Sequence, residues 1–327
     1  MRTYFLDEFF LSAENKEQLA KSFAEAGEEL IFKSFKTSQE VIDGAGDADG
    51  IILMAVRITD EVMAALPKLK FIGRCGIGVD NVDVAAATER GIVVCNVPDH
   101  CNYEVASHVF ALMFAIQRQI PAFVERARAG GYANGTEIKC HRVKGQTLGI
   151  LGYGNIGKEL APMALGVGMN VLVYDPYVKE IANPNVKLAS SFDEVLTNAD
   201  VISLHLPLTP ETQHMIAMPQ FKAMKKNCIF LNAARGPVVK TDDLIAALKA
   251  GEIAAAGIDV VEGEPVKPDH ELIHMDNVIF THHVGMYSEE AMSDMYFKLA
   301  NQCADVLNGR WTKNIVNPNV KEKAGLK

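Results

Sequence analysis

Short apolar runs recur along the whole chain, separated by stretches with helical spacing. In the first hundred residues these runs are Tyr4-Phe-Leu, Leu30-Ile-Phe, Gly50-Ile-Ile-Leu-Met54, Phe71-Ile-Gly-Arg-Cys75 and Ile92-Val-Val-Cys95. Asn15 to Ala26 and Thr59 to Leu66 have the spacing of helices between them. Runs without polar alternation belong to strands buried on both faces, so they predict a parallel sheet covered by helices. From Asn102 to Ala129 a long helical pattern follows, with Val105, Val109, Leu112, Met113 and Ile116 on one face. Pro121 is expected to kink or end it. Apolar runs then resume at Leu148 to Leu151, Asn170 to Tyr174, Asp200 to Leu206, Cys228 to Ala233, Ala254 to Asp259 and Val278 to Thr281. Between them, Lys158 to Leu165 and Asp193 to Asn198 read as helices. Thr241 reads as the cap of a helix that ends at Gly251, and Ser288 as the cap of a final helix reaching Leu307. The pattern predicts an α/β protein built from successive βα units.

One unit carries chemistry in its turn. The strand Leu148 to Leu151 runs into Gly152-Tyr153-Gly154-Asn155-Ile156-Gly157 and then a helix. Gly152 permits the tight turn, Gly154 lets the backbone approach a pyrophosphate, and Gly157 lets helix and strand pack closely. The helix start then favours a phosphate through its free N–H groups and dipole. A glycine pattern alone is a weak signal. Here the next strand ends in Asp175, eighteen positions after Gly157, close to the ~20 expected for a carboxylate that grips an adenosine ribose. The order strand, glycines, helix, strand, acid predicts a dinucleotide site. Asp175 favours NAD over NADP, since a carboxylate there repels a 2′-phosphate.

Composition narrows the class. The 327 residues suggest two domains, and 49% hydrophobic content suffices for two cores. With 32 basic against 41 acidic residues the net charge is −9, a poor match for nucleic acid or an anionic membrane surface. No apolar stretch approaches the ~18 residues of a membrane span. Asp7 and Glu8 come too early for a signal peptide. Six scattered cysteines without a CxxC pair read as reduced thiols of a cytoplasmic protein.

Polar residues stand where the later strands end: His205, Arg235, Asp259, Glu264 and His283. Ligands of open α/β sheets bind at those strand ends. Arginine holds a carboxylate by a bidentate fork. Histidine exchanges a proton with a hydroxyl or carbonyl. Glutamate orients the histidine and favours its protonated form. His108, on the helix face, reads as a packed residue rather than a catalytic one. His270-Glu-Leu-Ile-His274 matches a zinc-protease pattern but is wedged between Pro268 and a strand, so no metal is expected there. The loop Gly73-Arg-Cys-Gly76-Ile77-Gly78-Val-Asp80 is open to two readings on spacing alone, a tight turn or an N–H cradle for an anion.

Several segments together resemble the D-2-hydroxyacid dehydrogenase family. They are Gly76-Ile-Gly-Val-Asp-Asn81, Ala85-Ala-Ala-Thr-Glu-Arg-Gly91, His205-Leu-Pro-Leu-Thr-Pro-Glu-Thr212, Asn232-Ala-Ala-Arg235-Gly, Gly257-Ile-Asp259-Val-Val-Glu-Gly-Glu264-Pro and Thr281-His-His283-Val-Gly. The resemblance runs from about Gly50 to Gly309. It implies two doubly wound parallel-sheet domains with a cleft between them. A discontinuous flavodoxin-like substrate domain would comprise 1–101 and 290–327, and a Rossmann-type cofactor domain 102–289. It implies Arg235, Glu264 and His283 as the catalytic trio. Gly152, Tyr153, Gly154, Asn155, Ile156, Gly157, Asp175, His205, Pro207, Thr212, Ala233, Ala234, Arg235, Asp259, His283 and Gly285 would hold NAD. Met54, Ile77, Gly78, Arg235 and His283 would hold the substrate, with Ile77 and Gly78 offering N–H groups to its carboxylate. Where the family usually has Thr-Pro-His, this chain has Thr281-His282-His283, which makes His283 the catalyst by position.

What the resemblance implies is an NAD-dependent oxidoreductase interconverting a 2-keto acid and a D-2-hydroxy acid. Phosphoglycerate dehydrogenase and glyoxylate or hydroxypyruvate reductase are the alternatives within the family. Phosphoglycerate dehydrogenases typically place arginines where this chain has Leu53-Met54-Ala55-Val56, and many carry a regulatory extension beyond the point near Lys327 where this chain stops. A small or apolar keto acid is therefore expected, with Arg57 the nearest cation. Glu264 stands where formate dehydrogenases have glutamine. Tyr287-Ser-Glu-Glu resembles the C-terminal binding protein co-repressors, an NAD-binding scaffold class, but Met286 replaces their usual tryptophan. A homodimer through the cofactor domain is expected from Phe110, Phe114 and Phe123. Burial beneath Tyr132 is the other explanation for those rings.

Overall fold

Each apolar run becomes a parallel strand in the computed structural model, which describes residues 1–131 and 138–327. The chain begins with β1 (Thr3–Phe5), α1 (Ala13–Glu25), β2 (Leu30–Phe32), α2 (Ser38–Gly44), β3 (Gly50–Leu53), α3 (Asp60–Ala65), β4 (Phe71–Arg74), α4 (Val84–Glu89) and β5 (Val93–Cys95). These strands form one sheet in the order β2-β1-β3-β4-β5, parallel throughout. Neighbouring residues of β3 face opposite ways. Ile51 and Leu53 pack with Val62 and Val94, whereas Ile52 packs with Phe71, Tyr296 and Leu299. Ser12, Thr37, Thr59 and Asp83 cap their helices by accepting the N–H three residues on, each cap worth about 1 kcal/mol.

The second run of elements is α5 (Asn102–Gln117), α6 (Ile120–Arg128), β6 (Thr147–Leu151), α7 (Asn155–Gly166), β7 (Asn170–Tyr174), β8 (Val186–Leu188), α8 (Phe192–Asn198), β9 (Val201–Leu204), α9 (Met218–Ala223), β10 (Ile229–Asn232), α10 (Thr241–Ala250), β11 (Ala255–Ile258) and β12 (Val278–Phe280). Its sheet has seven strands in the order β8-β7-β6-β9-β10-β11-β12, also parallel. The order reverses between β6 and β9, which creates a switch point at their carboxyl ends. Finally α11 (Glu289–Leu307), capped by Ser288, and α12 (Lys321–Ala324) return to the first sheet. The chain therefore forms two units, Met1–Cys101 with Ser288–Lys327, and Asn102–Tyr287.

Two local expectations are corrected. The break between α5 and α6 falls at Gln119, which takes a left-handed φ of 52°. Pro121 sits in the first turn of α6, where its missing N–H removes no helical bond. Thr241 is the first residue of α10 rather than its cap, and its N–H donates to Glu262 Oε2 at 2.7 Å. No disulfide joins the six cysteines. Among the described residues no helix is long and apolar enough to cross a membrane.

Candidate active site

The glycine turn between β6 and α7 is built as its sequence requires. A Cβ on Gly152 would lie 2.4 Å from the carbonyl oxygen of His205, and one on Gly157 would lie 2.5 Å from that of Gly152. Both positions exclude a side chain. Gly154 instead faces open space, with no atom within 4 Å of a Cβ placed there. The first hydrogen bond onto the helix is Lys158 N–H to Gly154 O, 3.0 Å, so the preceding N–H groups of the turn have no helical acceptor. Asp175 lies across this turn. Its Oδ2 accepts from Tyr153 N–H at 2.8 Å and its Oδ1 from Tyr177 N–H at 2.9 Å. An open cradle of N–H groups beside a fixed carboxylate fits a dinucleotide.

On the other side of the switch point, His205 follows β9, with its N–H bonded to Leu151 O at 2.8 Å. Its Nε2 meets Ser203 Oγ at 2.8 Å, and its enclosed Nδ1 has no protein partner among the described residues. Burial pulls its imidazole down to about 4, so it is neutral at pH 7 and adds no cation to the site. The loop after it folds on Thr212, whose Oγ1 donates to Pro207 O at 2.7 Å.

The next three strands end in the remaining candidates. After β10, Asn232 organises a turn, accepting from Ala234 N–H at 3.0 Å and donating to Arg235 O at 3.1 Å. Ala233, Ala234 and Arg235 lie on that turn. Gly236 packs directly on the backbone of Val261 and Glu262, where a Cβ would clash at 2.1 Å. The arginine turn thus abuts the loop that carries Glu264. Glu264 Oε1 accepts from Val261 N–H at 2.6 Å, and Oε2 meets His283 Nδ1 at 2.8 Å. One oxygen fixes the carboxylate, and the other fixes the ring. The pairing leaves the second ring nitrogen, Nε2, as the atom able to exchange a proton.

His283 takes a left-handed φ of 60°, a conformation that costs a non-glycine residue on the order of 1 kcal/mol or more. Asp259 holds it there. His283 N–H donates to Asp259 O at 2.7 Å. The Asp259 carboxylate accepts from Thr281 Oγ1 at 2.6 Å, Val284 N–H at 3.0 Å and Gly285 N–H at 2.9 Å. His108 reaches the same network, 3.0 Å from Thr281 Oγ1 and 3.5 Å from Asp259 Oδ1. Burial pushes the Asp259 carboxyl up, but the bonds from His108, Thr281, Val284 and Gly285 outweigh it and hold the group well below the usual carboxylate range. His108 is packed and satisfied, as its helical spacing suggested, yet its partner is the loop that carries His283. Nothing in the spacing pointed to that.

In the first unit, Gly76 O accepts from Val97 N–H at 3.0 Å and Ile77 O from Asn96 Nδ2 at 2.6 Å. These bonds hold the loop by its carbonyls, and among the described residues the Ile77 and Gly78 N–H groups have no partner. Met54 follows β3. Arg74 is a cation that the sequence reading passed over. Its Nη1 donates to Cys75 O at 2.6 Å and fills the space where a Gly76 side chain would stand. Arg57, by contrast, is exposed.

Both histidines of the zinc-protease pattern bond to nearby backbone. Glu271–His274 is a short 3₁₀ turn, His270 Nδ1 accepts from Leu272 N–H, and His274 Nε2 meets Pro268 O at 2.7 Å. Among the described residues no group of three or more acidic, histidine or cysteine side chains could hold a metal. A cavity of about 320 Å³ lies at the amino-terminal edge of the seven-stranded sheet, beside Ile229, Ala255 and Val278, opposite the strand ends that carry the site.

Residues 110–285 match the model of the D-isomer specific 2-hydroxyacid dehydrogenase NAD-binding domain. The chain belongs to the D-isomer specific 2-hydroxyacid dehydrogenase family. The cofactor is NAD. The chain is 41% identical to a D-3-phosphoglycerate dehydrogenase of Methanocaldococcus jannaschii over 94% of its own length, and it spans 59% of that relative's length. It is 37% identical to a glyoxylate reductase of Thermococcus litoralis, covering 86% of this chain and 87% of the relative. The structure of D-lactate dehydrogenase from Aquifex aeolicus complexed with NAD and lactic acid matches with a TM-score of 0.85 at 27% identity, over 94% of this chain and 96% of that one. These three relatives are named for different acids, phosphoglycerate, glyoxylate and lactate.

Proposed function

We propose that the protein is an NAD-dependent D-2-hydroxyacid dehydrogenase that interconverts a small or apolar 2-keto acid and its D-2-hydroxy acid. The observation that carries this reading is the 2.8 Å pair of Glu264 and His283, beside the arginine turn and on the NAD-binding unit. Arg235 binds the carboxylate of the acid by its guanidinium fork. His283 Nε2 gives its proton to the carbonyl oxygen during reduction and takes it back during oxidation. Glu264 keeps the ring oriented and balances its charge in the protonated state. Asp259 holds the loop of His283 in its left-handed turn. NAD, which the turn Gly152–Gly157 and Asp175 would hold, would supply the hydride for reduction and accept it in oxidation.

A second reading has an observation of its own. Arg74, the last residue of β4, pairs in register with Leu53 at the end of β3, its charge is felt by Asp7, and the Methanocaldococcus relative is named a phosphoglycerate dehydrogenase. A phosphorylated keto acid would need such a cation. Initial rates with NADH and glyoxylate, pyruvate, hydroxypyruvate, 2-ketoisocaproate, phenylpyruvate and phosphohydroxypyruvate separate the two. The proposed reading expects unphosphorylated acids to be preferred. A kcat/KM for phosphohydroxypyruvate more than about tenfold above all others would overturn it.

A further inference from the structure

The sheet of the first unit has the order β2-β1-β3-β4-β5, so its switch point lies between the carboxyl ends of β1 and β3. Ligands of doubly wound sheets bind at that point. Two residues meet there, Asp7 just beyond β1 and Met54 just beyond β3. Asp7 is fully buried. Its carboxylate gathers three successive N–H groups, those of Met54 at 2.6 Å, Ala55 at 3.4 Å and Val56 at 3.0 Å. Consecutive N–H groups converging on one point form a nest suited to an anion, and here the anion is part of the chain. The carbonyls of the same loop are held from the other side. Asn81 Nδ2 lies 3.3 Å from Met54 O and 3.1 Å from Val56 O. Asn81 belongs to the segment that follows Ile77 and Gly78, so it ties the two loops together. Ile58 N–H to Asn81 O at 2.8 Å and Asp83 N–H to Ile58 O at 2.9 Å complete the tie.

We propose that Asp7 and Asn81 are positioning residues that set substrate-tail selectivity by clamping the Met54–Val56 loop at the switch point of the first sheet. The clamp consumes the backbone donors of the loop. What remains for a substrate tail is the Met54 side chain, apolar and adaptable. A carboxylate buried without these three donors would be unfavourable, so the loop and Asp7 stabilise one another in a single arrangement. The inference rests on the proposed keto-acid reaction and goes further, naming the residues that shape the tail site.

Glyoxylate is the internal control, because it has no carbon beyond its carbonyl and cannot sense a tail site. The experiment compares kcat/KM for glyoxylate, pyruvate and 2-ketoisocaproate in the native protein, Asp7→Asn and Asn81→Ser, with NADH binding followed by fluorescence. Asp7→Asn keeps the shape but sets an amide N–H against the nest. The expected result is a loss of about tenfold or more on 2-ketoisocaproate. Glyoxylate turnover and NADH affinity should stay within about twofold. Exchange of the Met54, Ala55 and Val56 amides should also accelerate. Asn81→Ser, which retains Asp7, should shift the same ratio if Asp7→Asn fails to fold. Equal losses on all three acids, or an unchanged ratio, would overturn the clamp as a selectivity device. Unchanged amide exchange would overturn it whatever the substrate. A native protein that reduces none of the acids would instead refute the proposed reaction.

Discussion

Glu264 meets His283 Nδ1 at 2.8 Å with one carboxylate oxygen while the other accepts from Val261 N–H at 2.6 Å. The histidine is therefore aimed by a group that is itself anchored to the backbone. Replacing Glu264 with Gln preserves the shape but removes the charge that favours a protonated ring. A loss of about 10- to 100-fold in kcat is expected, by analogy with partners that orient a working histidine, with NADH affinity little changed. Steady-state kinetics and a cofactor titration check this together.

Asp259 acts one step further back. Its carboxyl is held below the usual range despite burial, so it contributes stability that is complete above the unfolded value of about 3.8 and is lost as pH falls through the lower folded value. The native protein should therefore lose stability steeply as pH drops below 3.8. Asp259→Asn should be less stable at pH 7 by about 1–3 kcal/mol, since it leaves buried donors poorly matched. Its stability should also fall less steeply across that acid window. Thermal melts at neutral and acid pH measure both. Equal slopes for the two proteins would remove Asp259 from this role.

The parts of this site differ in how far the sequence alone revealed them. The glycine turn, Asp175 and the strand-end residues were readable because each depends on local chain geometry: a turn without Cβ atoms, a strand length, a fixed spacing. The Asp259–Thr281–His108 network was not, because it joins His108 to two residues more than a hundred positions further along the chain, with no shared periodicity. Asp7 was read only as an acid too early for a signal peptide, although it is the buried anchor of the loop after β3. The helices α2 and α4 are short, with one and two buried residues, too few to impose a helical period. Pro121 was given the helix break that Gln119 makes, since proline at the start of a helix leaves the same mark in sequence as proline at its end.

Cofactor choice follows from Asp175, fixed by two backbone N–H groups at 2.8 and 2.9 Å. NADH should exceed NADPH in kcat/KM, and Asp175→Ser should narrow the gap by roughly tenfold or more, the scale of one charge contact in a partly enclosed site. Kinetics with both cofactors give the ratio, and equal values in the native protein would contradict the assignment.

The NAD-binding unit also carries apolar surface. The rings of Phe110 and Phe114 lie 5.0 Å apart at a tilt of 57° and are half-buried, while Tyr103, Ile120 and Val124 are exposed. Apolar surface of this kind marks an interface more often than a free face. Tyr132, which could have covered it, lies outside the described residues. A homodimer is expected, with a mass near twice 35.7 kDa by light scattering at micromolar concentration. A monomer mass there would count against it.

The central claim is that His283, and not its neighbour His282, carries the proton. The decisive measurement is kcat for 2-keto acid reduction in His283→Ala and His282→Ala, beside NADH affinity in both. A fall of roughly 10²–10⁴-fold for His283→Ala, with His282→Ala within about tenfold of native and cofactor binding preserved in both, is the expected result. A large loss in His282→Ala with His283→Ala nearly unaffected would contradict the account.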